Sequence, residues 1–161
     1  MQTETTPGPS DFDFVIGTWD VAHRRLKDRL ANSQDWVAFP GTMETRKVLG
    51  GLGNVEDNVL HLPEGSYRAV AIRSFNPAEQ AWAIWWLDGR NPWTLDTPVK
   101  GAFANDVGLF FAEETFQGRP IKIRFTWSKV TSDRLRWEQA FSPDAGATWE
   151  TNWTMDFTRT A

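Results

Sequence analysis

Two side chains in this sequence, His23 and His61, have an ordinary pKa close to neutrality, so proton transfer or metal ligation would have to begin with them. A metal site would need both histidines and a carboxylate such as Asp57, which shares a strand face with His61. An isolated histidine is more often a hydrogen-bonded structural residue, and no metal or other cofactor is expected. Glu113 and Glu114 offer paired carboxylates, but consecutive residues of a strand point to opposite faces and cannot straddle a glycosidic bond. There is no Gly-x-Ser-x-Gly elbow, and without cysteine the possible nucleophiles are unactivated hydroxyls. Gly50-Gly51-Leu52-Gly53-Asn54 has the glycines of a phosphate cradle without the Lys-Ser/Thr and helix that should follow, so it reads as a tight turn. The basic run from His23 to Arg29 could meet an anionic ligand; its plain reading is a solvated hairpin end.

What remains is a set of polar groups interleaved with large rings, which suits binding. His23, Arg25, His61, Arg73, Trp86, Asp88, Arg90 and Gln139 are the candidates to line an internal cavity. Gln139 falls among Leu135, Trp137 and Phe141, and a buried amide without a partner costs roughly 1–3 kcal/mol. It needs a protein partner, a water or a ligand.

The elements that must position these groups are strands. Between Ile121 and Phe157 the odd positions are almost all apolar and the even ones almost all polar, the period of a half-buried sheet. Short turns make the three strands there antiparallel neighbours. Further strands are expected at 17–26, 36–48 (interrupted by Pro40-Gly41, which suggests an edge or bulge), 54–62, 66–75, 81–87, 99–104 and 107–116. Strand 54–62 has polar residues on both faces, so it lies at an edge or sends polar groups inward. If Trp19 points inward, His23 does too, with Arg25 near a mouth; Trp85 and Trp86 must face opposite sides. Residues 11–16 read as a helical turn closing one end, and the turn-rich segment from Asp88 to Trp93 as part of a mouth.

The chain of 161 residues, with net charge −4, forms a single domain by length, 11–161, behind a loose polar tail at 1–10. The charge gives no global field to attract nucleic acid or an anionic membrane, and neither is an expected partner. The absence of cysteine and of a signal-like start fits a cytoplasmic protein. Ten Trp and eleven Phe against one Tyr supply rings enough to fill a barrel or wall a pocket.

Two resemblances follow from particular residues. The turn Ser142-Pro143-Asp144-Ala145-Gly146-Ala147-Thr148-Trp149 resembles the Asp-box of sialidase-type proteins, a structural hairpin motif. A single copy without repeats disfavours a propeller. Gly17-x-Trp19 opening the first strand, about ten strands in all, and Arg159 after the last resemble the calycin superfamily of lipocalins, fatty-acid-binding proteins and nitrobindins. That resemblance implies an all-β, antiparallel up-and-down barrel with Trp19 stacked under Arg159. Haem ligation, implied by the nitrobindin branch, would need only one histidine, but the further motifs of that branch are not evident. The stretch from Phe12 to Arg159 resembles bacterial calycin-like proteins, a likeness that brings no assigned activity.

The function expected is binding of a small apolar or aromatic molecule inside the barrel. One alternative is a non-covalent enzyme of isomerase, cyclase or lyase type using a barrel histidine as acid or base. The other is an interaction module whose exposed rings form a homodimer face.

Overall fold

The computed structural model describes residues 6–161; residues 1–5, half of the expected tail, lie outside them. Of the rest of the tail, Gly8 is tied back, its N–H donating to the Asp11 carboxylate at 3.0 Å. Ten strands follow: β1 (Gly17–Leu26), β2 (Trp36–Val48), β3 (Gly53–Leu62), β4 (Gly65–Asn76), β5 (Ala81–Asp88), β6 (Val99–Ala104), β7 (Val107–Phe116), β8 (Arg119–Thr131), β9 (Arg134–Ser142) and β10 (Glu150–Arg159). Each pairs antiparallel with the next, and β10 returns to β1, with Trp19 opposite Arg159. The protein is therefore a closed, up-and-down, calycin-like barrel. Closure leaves no edge running the length of a strand, which protects the chain from edge-to-edge pairing. Pro40 sits just before β2 begins to pair with β3 at Gly41, so its missing N–H falls where β2 has one neighbour. Among the described residues no helix is long and apolar enough to cross a membrane.

One end of the barrel is plugged. The turn Asp13–Val15 and the preceding Phe12 enter it, and the Phe12 ring meets Trp82 and Phe103 edge-on at centroid distances of 4.9 and 4.8 Å. Trp19 donates its indole N–H to the Val15 carbonyl at 3.0 Å. Arg159 lies over the Trp19 ring at 4.1 Å and donates to the carbonyls of Ile16 (2.9 Å) and Phe14 (3.3 Å), fastening the plug to the barrel rim.

The polar ambiguity of β3 resolves inward at this end. Asn54, Glu56 and Asn58 face the interior, where Arg73 of β4 pairs with Glu56 and donates to Asn54 Oδ1 at 2.8 Å. Asn58 Nδ2 donates to the other Glu56 oxygen at 2.7 Å. The Arg73 guanidinium lies 5.0 Å from the centroids of both the Phe12 and Trp127 rings. Arg73, expected to line the cavity, is instead 1% exposed and enclosed in the plugged half, where its partners hold the charge.

A bulge between Thr151 and Trp153 corrects the strict alternation expected over 149–157. After it the odd residues Trp153, Met155 and Phe157 face in; before it the phase is reversed. Asn152 is buried, and Trp149 packs on the outer wall against Phe111 and beneath Arg124. In the turn before Trp149, Asp144 accepts from the Thr148 N–H at 2.8 Å, and Gly146 takes a positive φ of 93° that a side chain would strain.

Candidate functional site

The opposite half of the barrel is not filled. Its interior residues come from alternate positions of the strands: Arg25 (β1), Tyr67 (β4), Trp86 and Asp88 (β5), Glu114 (β7), Phe125 (β8), Trp137 and Gln139 (β9), Trp153 (β10). They surround an open-ended cavity of about 360 Å³. Its floor and back wall are rings set edge to face: Trp137 and Trp153 at 5.2 Å, Trp86 and Trp153 at 5.8 Å, Phe125 and Trp137 at 4.9 Å. Trp86 can contribute because its neighbour Trp85 points outward.

One wall of the cavity is completed by a connecting segment instead of a strand. β5 and β6 pair over only three rungs, Trp82–Gly101 to Ile84–Val99, so the upper part of β5 has no β6 partner. The segment 89–98 folds back there: Leu95 bridges to Leu87 and the Asp96 N–H donates to the Trp86 carbonyl at 3.0 Å. Arg90, Asp96 and Thr97 thereby reach the mouth, while Trp93 projects into solvent, 95% exposed.

The mouth is strongly charged. Arg90 is bound to Asp88, Nη2 to Oδ2 at 2.7 Å, and its guanidinium rests on the Tyr67 ring at 3.7 Å. Burial alone would raise the Asp88 carboxyl, but the Arg90 hydrogen bonds outweigh it and hold the group below its ordinary range. Arg25 donates to the Tyr67 hydroxyl oxygen at 2.9 Å and lies over Phe39 and Trp153. Arg29, on the β1–β2 connection, lies over Phe141; burial and then the charge of Arg25 push its guanidinium down to about 10. Desolvation, then Asp88 and Glu114, pushes Asp96 up, whereas hydrogen bonds from Thr97 and from the Thr115 N–H hold Glu114 down.

Of the eight residues singled out by sequence, the structure brings Arg25, Trp86, Asp88, Arg90 and Gln139 together at the cavity. Gln139 has a protein partner: its Nε2 donates to Asn152 Oδ1 at 2.9 Å, a contact made possible by the bulge. The other three, His23, His61 and Arg73, do not line it. His23 is buried one layer behind the wall, stacked on Phe39 at 4.6 Å, with its Nδ1 accepting the Trp153 indole N–H at 3.1 Å. Burial, with Arg25 second, pushes it from its ordinary 6.5 to about 3, so it is neutral with its proton on Nε2. There is room for that ring because position 41 is glycine; a Cβ there would sit 2.9 Å from His23 Nε2. His61 points outward from β3 into solvent, its Nδ1 2.7 Å from Ser66 Oγ, and Asp57 on the same outer face pairs with Arg68. With the histidines on opposite sides of the barrel wall, they cannot share a metal ion, and neither can serve as acid or base on a molecule in the cavity.

Sequence reasoning missed Tyr67 and Asp96, and it did not place in the cavity either Arg29, named in the basic run, or Glu114, named as a carboxylate. Arg29 reads as a solvated residue because it lies beyond the strand end. It turns in because the next residue, Leu30, donates its N–H to the Glu150 carboxylate at 2.8 Å across the mouth. Nothing local in the sequence announces that contact. Tyr67, Trp137 and Trp153 were findable, since each shares the inward phase of its strand, but phase alone does not say which half of a barrel is empty.

No family model and no curated protein matches the chain. Among solved structures it is similar to the S-type phycobiliprotein lyase CPES from Guillardia theta, at 9% identity over 93% of this chain and 90% of that one, with a TM-score of 0.60. It is also similar to EF1p2_mFAP2b bound to DFHBI, at 8% identity over 94% of this chain and 98% of that one, with a TM-score of 0.49. At 9% identity the likeness to the lyase shows the barrel fold alone.

Proposed function

We propose that the protein binds a small, largely aromatic molecule in the open half of its barrel. The observation that carries this is the cavity of about 360 Å³ walled by Trp86, Trp137, Trp153 and Phe125. A barrel built only for stability gains by filling such a space, since an interior void forfeits dispersion contacts on every side. Here one end is packed to closure by the plug and the other is left hollow, apolar at its base and polar at its rim, the usual composition of a ligand site. Rings set at right angles to one another present both faces and edges to a planar guest. Arg25, Arg90, Asp88 and Gln139 serve as polar contacts at the rim, with Trp86 as a wall. Acid–base catalysis by a histidine is set aside because both histidines lie off the cavity.

Native mass spectrometry of the freshly purified protein, set against the denatured chain, is the direct test. A reproducible extra mass lost on denaturation, or quenching of tryptophan emission on titration with aromatic compounds, is the expected result. A clean apo mass together with unchanged emission across a panel of such compounds would overturn the proposal. The same spectra report association. The outer face of β7 exposes Val107, Leu109 and Phe111, and a dimer peak would favour the interaction-module reading.

A further inference from the structure

The three arginines that line the cavity are not equivalent. Arg90 is committed, paired with Asp88 and stacked on Tyr67. Arg25 spends one N–H on the Tyr67 hydroxyl oxygen and makes no ion pair among the described residues. Arg29 lies against the Phe141 ring with neither a hydrogen bond nor an ion pair among those residues. Most of the carboxylates nearby are held by other donors: Asp88 by Arg90, Glu114 by Thr97 and the Thr115 amide, Glu150 by the Leu30 amide. Asp96 pairs with neither Arg25 nor Arg29.

Tyr67 adds a third donor. Its oxygen accepts from Arg25, so its own proton is left for an acceptor elsewhere, and the residue faces the cavity. Two half-buried guanidinium groups and a phenol O–H thus converge on one space; Glu150 and Asp96 act on Arg29 through space, but neither is hydrogen-bonded or ion-paired to Arg25 or Arg29 among the described residues. Partly desolvated cations without a directly bonded counter-charge are costly, and the planar guanidinium fork matches a carboxylate in two parallel hydrogen bonds. We infer that Arg25, Arg29 and Tyr67 form an anion subsite that seats the carboxylate of an aromatic acid, whose ring occupies the space between Trp86, Trp137 and Trp153. This rests on the binding function proposed above and adds the charge and chemical class of the ligand.

The test is tryptophan-fluorescence titration with matched acids and amides of the same ring: benzoate against benzamide, naphthoate against naphthamide. Charge-assisted hydrogen bonds to a carboxylate make the acid bind about tenfold or more tightly than its amide, and that ratio is the readout. Arg29→Gln and Arg25→Gln should each bring the ratio towards one. Arg29 lies in a connection outside the strands, so its variant tests the subsite with little risk to folding, checked by an unchanged circular dichroism spectrum. Arg136→Gln, which removes an arginine paired with Glu138 and Asp156 on the outer wall, should leave the ratio as in the wild type. A ratio near one in the wild type with both compounds bound, or an undiminished ratio in Arg29→Gln, would overturn the anion subsite and leave cavity binding standing. If no acid and no amide of either ring size binds, cavity binding itself fails, and the subsite with it.

Discussion

The burial of His23 makes a prediction about pH that can be worked through. In the folded protein its imidazole is pushed from its ordinary 6.5 to about 3, chiefly by burial and then by Arg25. Between those values the unfolded chain binds a proton that the native state refuses. The contribution of His23 to stability is therefore whole above about pH 6.5 and is lost progressively as the pH falls towards 3. Each unit is worth about 1.4 kcal/mol, so near pH 4.5 this one residue withdraws roughly 2–3 kcal/mol. Carboxylates titrate in the same window, and the wild type must be read against a variant that cannot take the proton. His23→Gln serves, because its side-chain carbonyl can still accept the Trp153 indole N–H. Urea unfolding at about pH 7 and about pH 4.5 should show the wild type losing roughly 2–3 kcal/mol more than the variant. Equal losses would refute the reasoning, since they would mean that His23 protonates within the fold as readily as outside it.

Two further changes probe the plugged end. Glu56→Gln leaves Arg73 buried without its counter-charge and should cost about 3–5 kcal/mol, whereas the double change Glu56→Leu with Arg73→Met should recover most of that loss. Thermal unfolding decides it, and a loss below about 1 kcal/mol for the single change would contradict the description of the pair as enclosed. Arg159→Met removes the stack on Trp19 and the donors to Ile16 and Phe14, with an expected cost of about 2 kcal/mol after allowing for partial exposure, or a midpoint roughly 4–8 °C lower. Because the plug is remote from the cavity, affinity for aromatic probes at room temperature should not change. A large loss of affinity would show that the two ends are coupled.

The barrel was legible because its determinants are local. Alternation and turn residues mark strands, and in a meander each strand needs only its sequence neighbours. The pair Asn105-Asp106, both at positive φ, closes the β6–β7 hairpin where the sequence placed a turn. The candidate site was only partly legible, because its composition is set by contacts distant in sequence. His61 was placed inside because polar residues on both sides of β3 left its phase open. That phase is fixed by Arg73 on the next strand, which draws Asn54, Glu56 and Asn58 inward and turns His61 out. The same pairing removes Arg73 from the cavity. Asn152 was concealed by the bulge, which reverses the inward phase within β10, and Arg29 by its dependence on Glu150, about 120 residues away.

The bulge bears on what a ligand must bring. Gln139 is the buried polar group that the sequence left to a protein partner, a water or a ligand; Asn152 takes its N–H, so a guest need not answer it. The demand for an acceptor passes to the rim, where Arg25, Arg29 and Tyr67 hold donors that the protein leaves unanswered, while Arg90 is neutralised by Asp88. The interior consequently divides the work. At the plugged end the buried cation Arg73 has a carboxylate supplied by the preceding strand and strengthens the closed wall. At the open end Arg25 and Arg29 have no carboxylate bonded to them among the described residues, although Asp96 lines the same space. The apolar base selects for a ring and the rim for a negative charge, so affinity for an aromatic acid should fall when either is removed: the charge by amidation of the ligand, or the wall by Trp137→Ala.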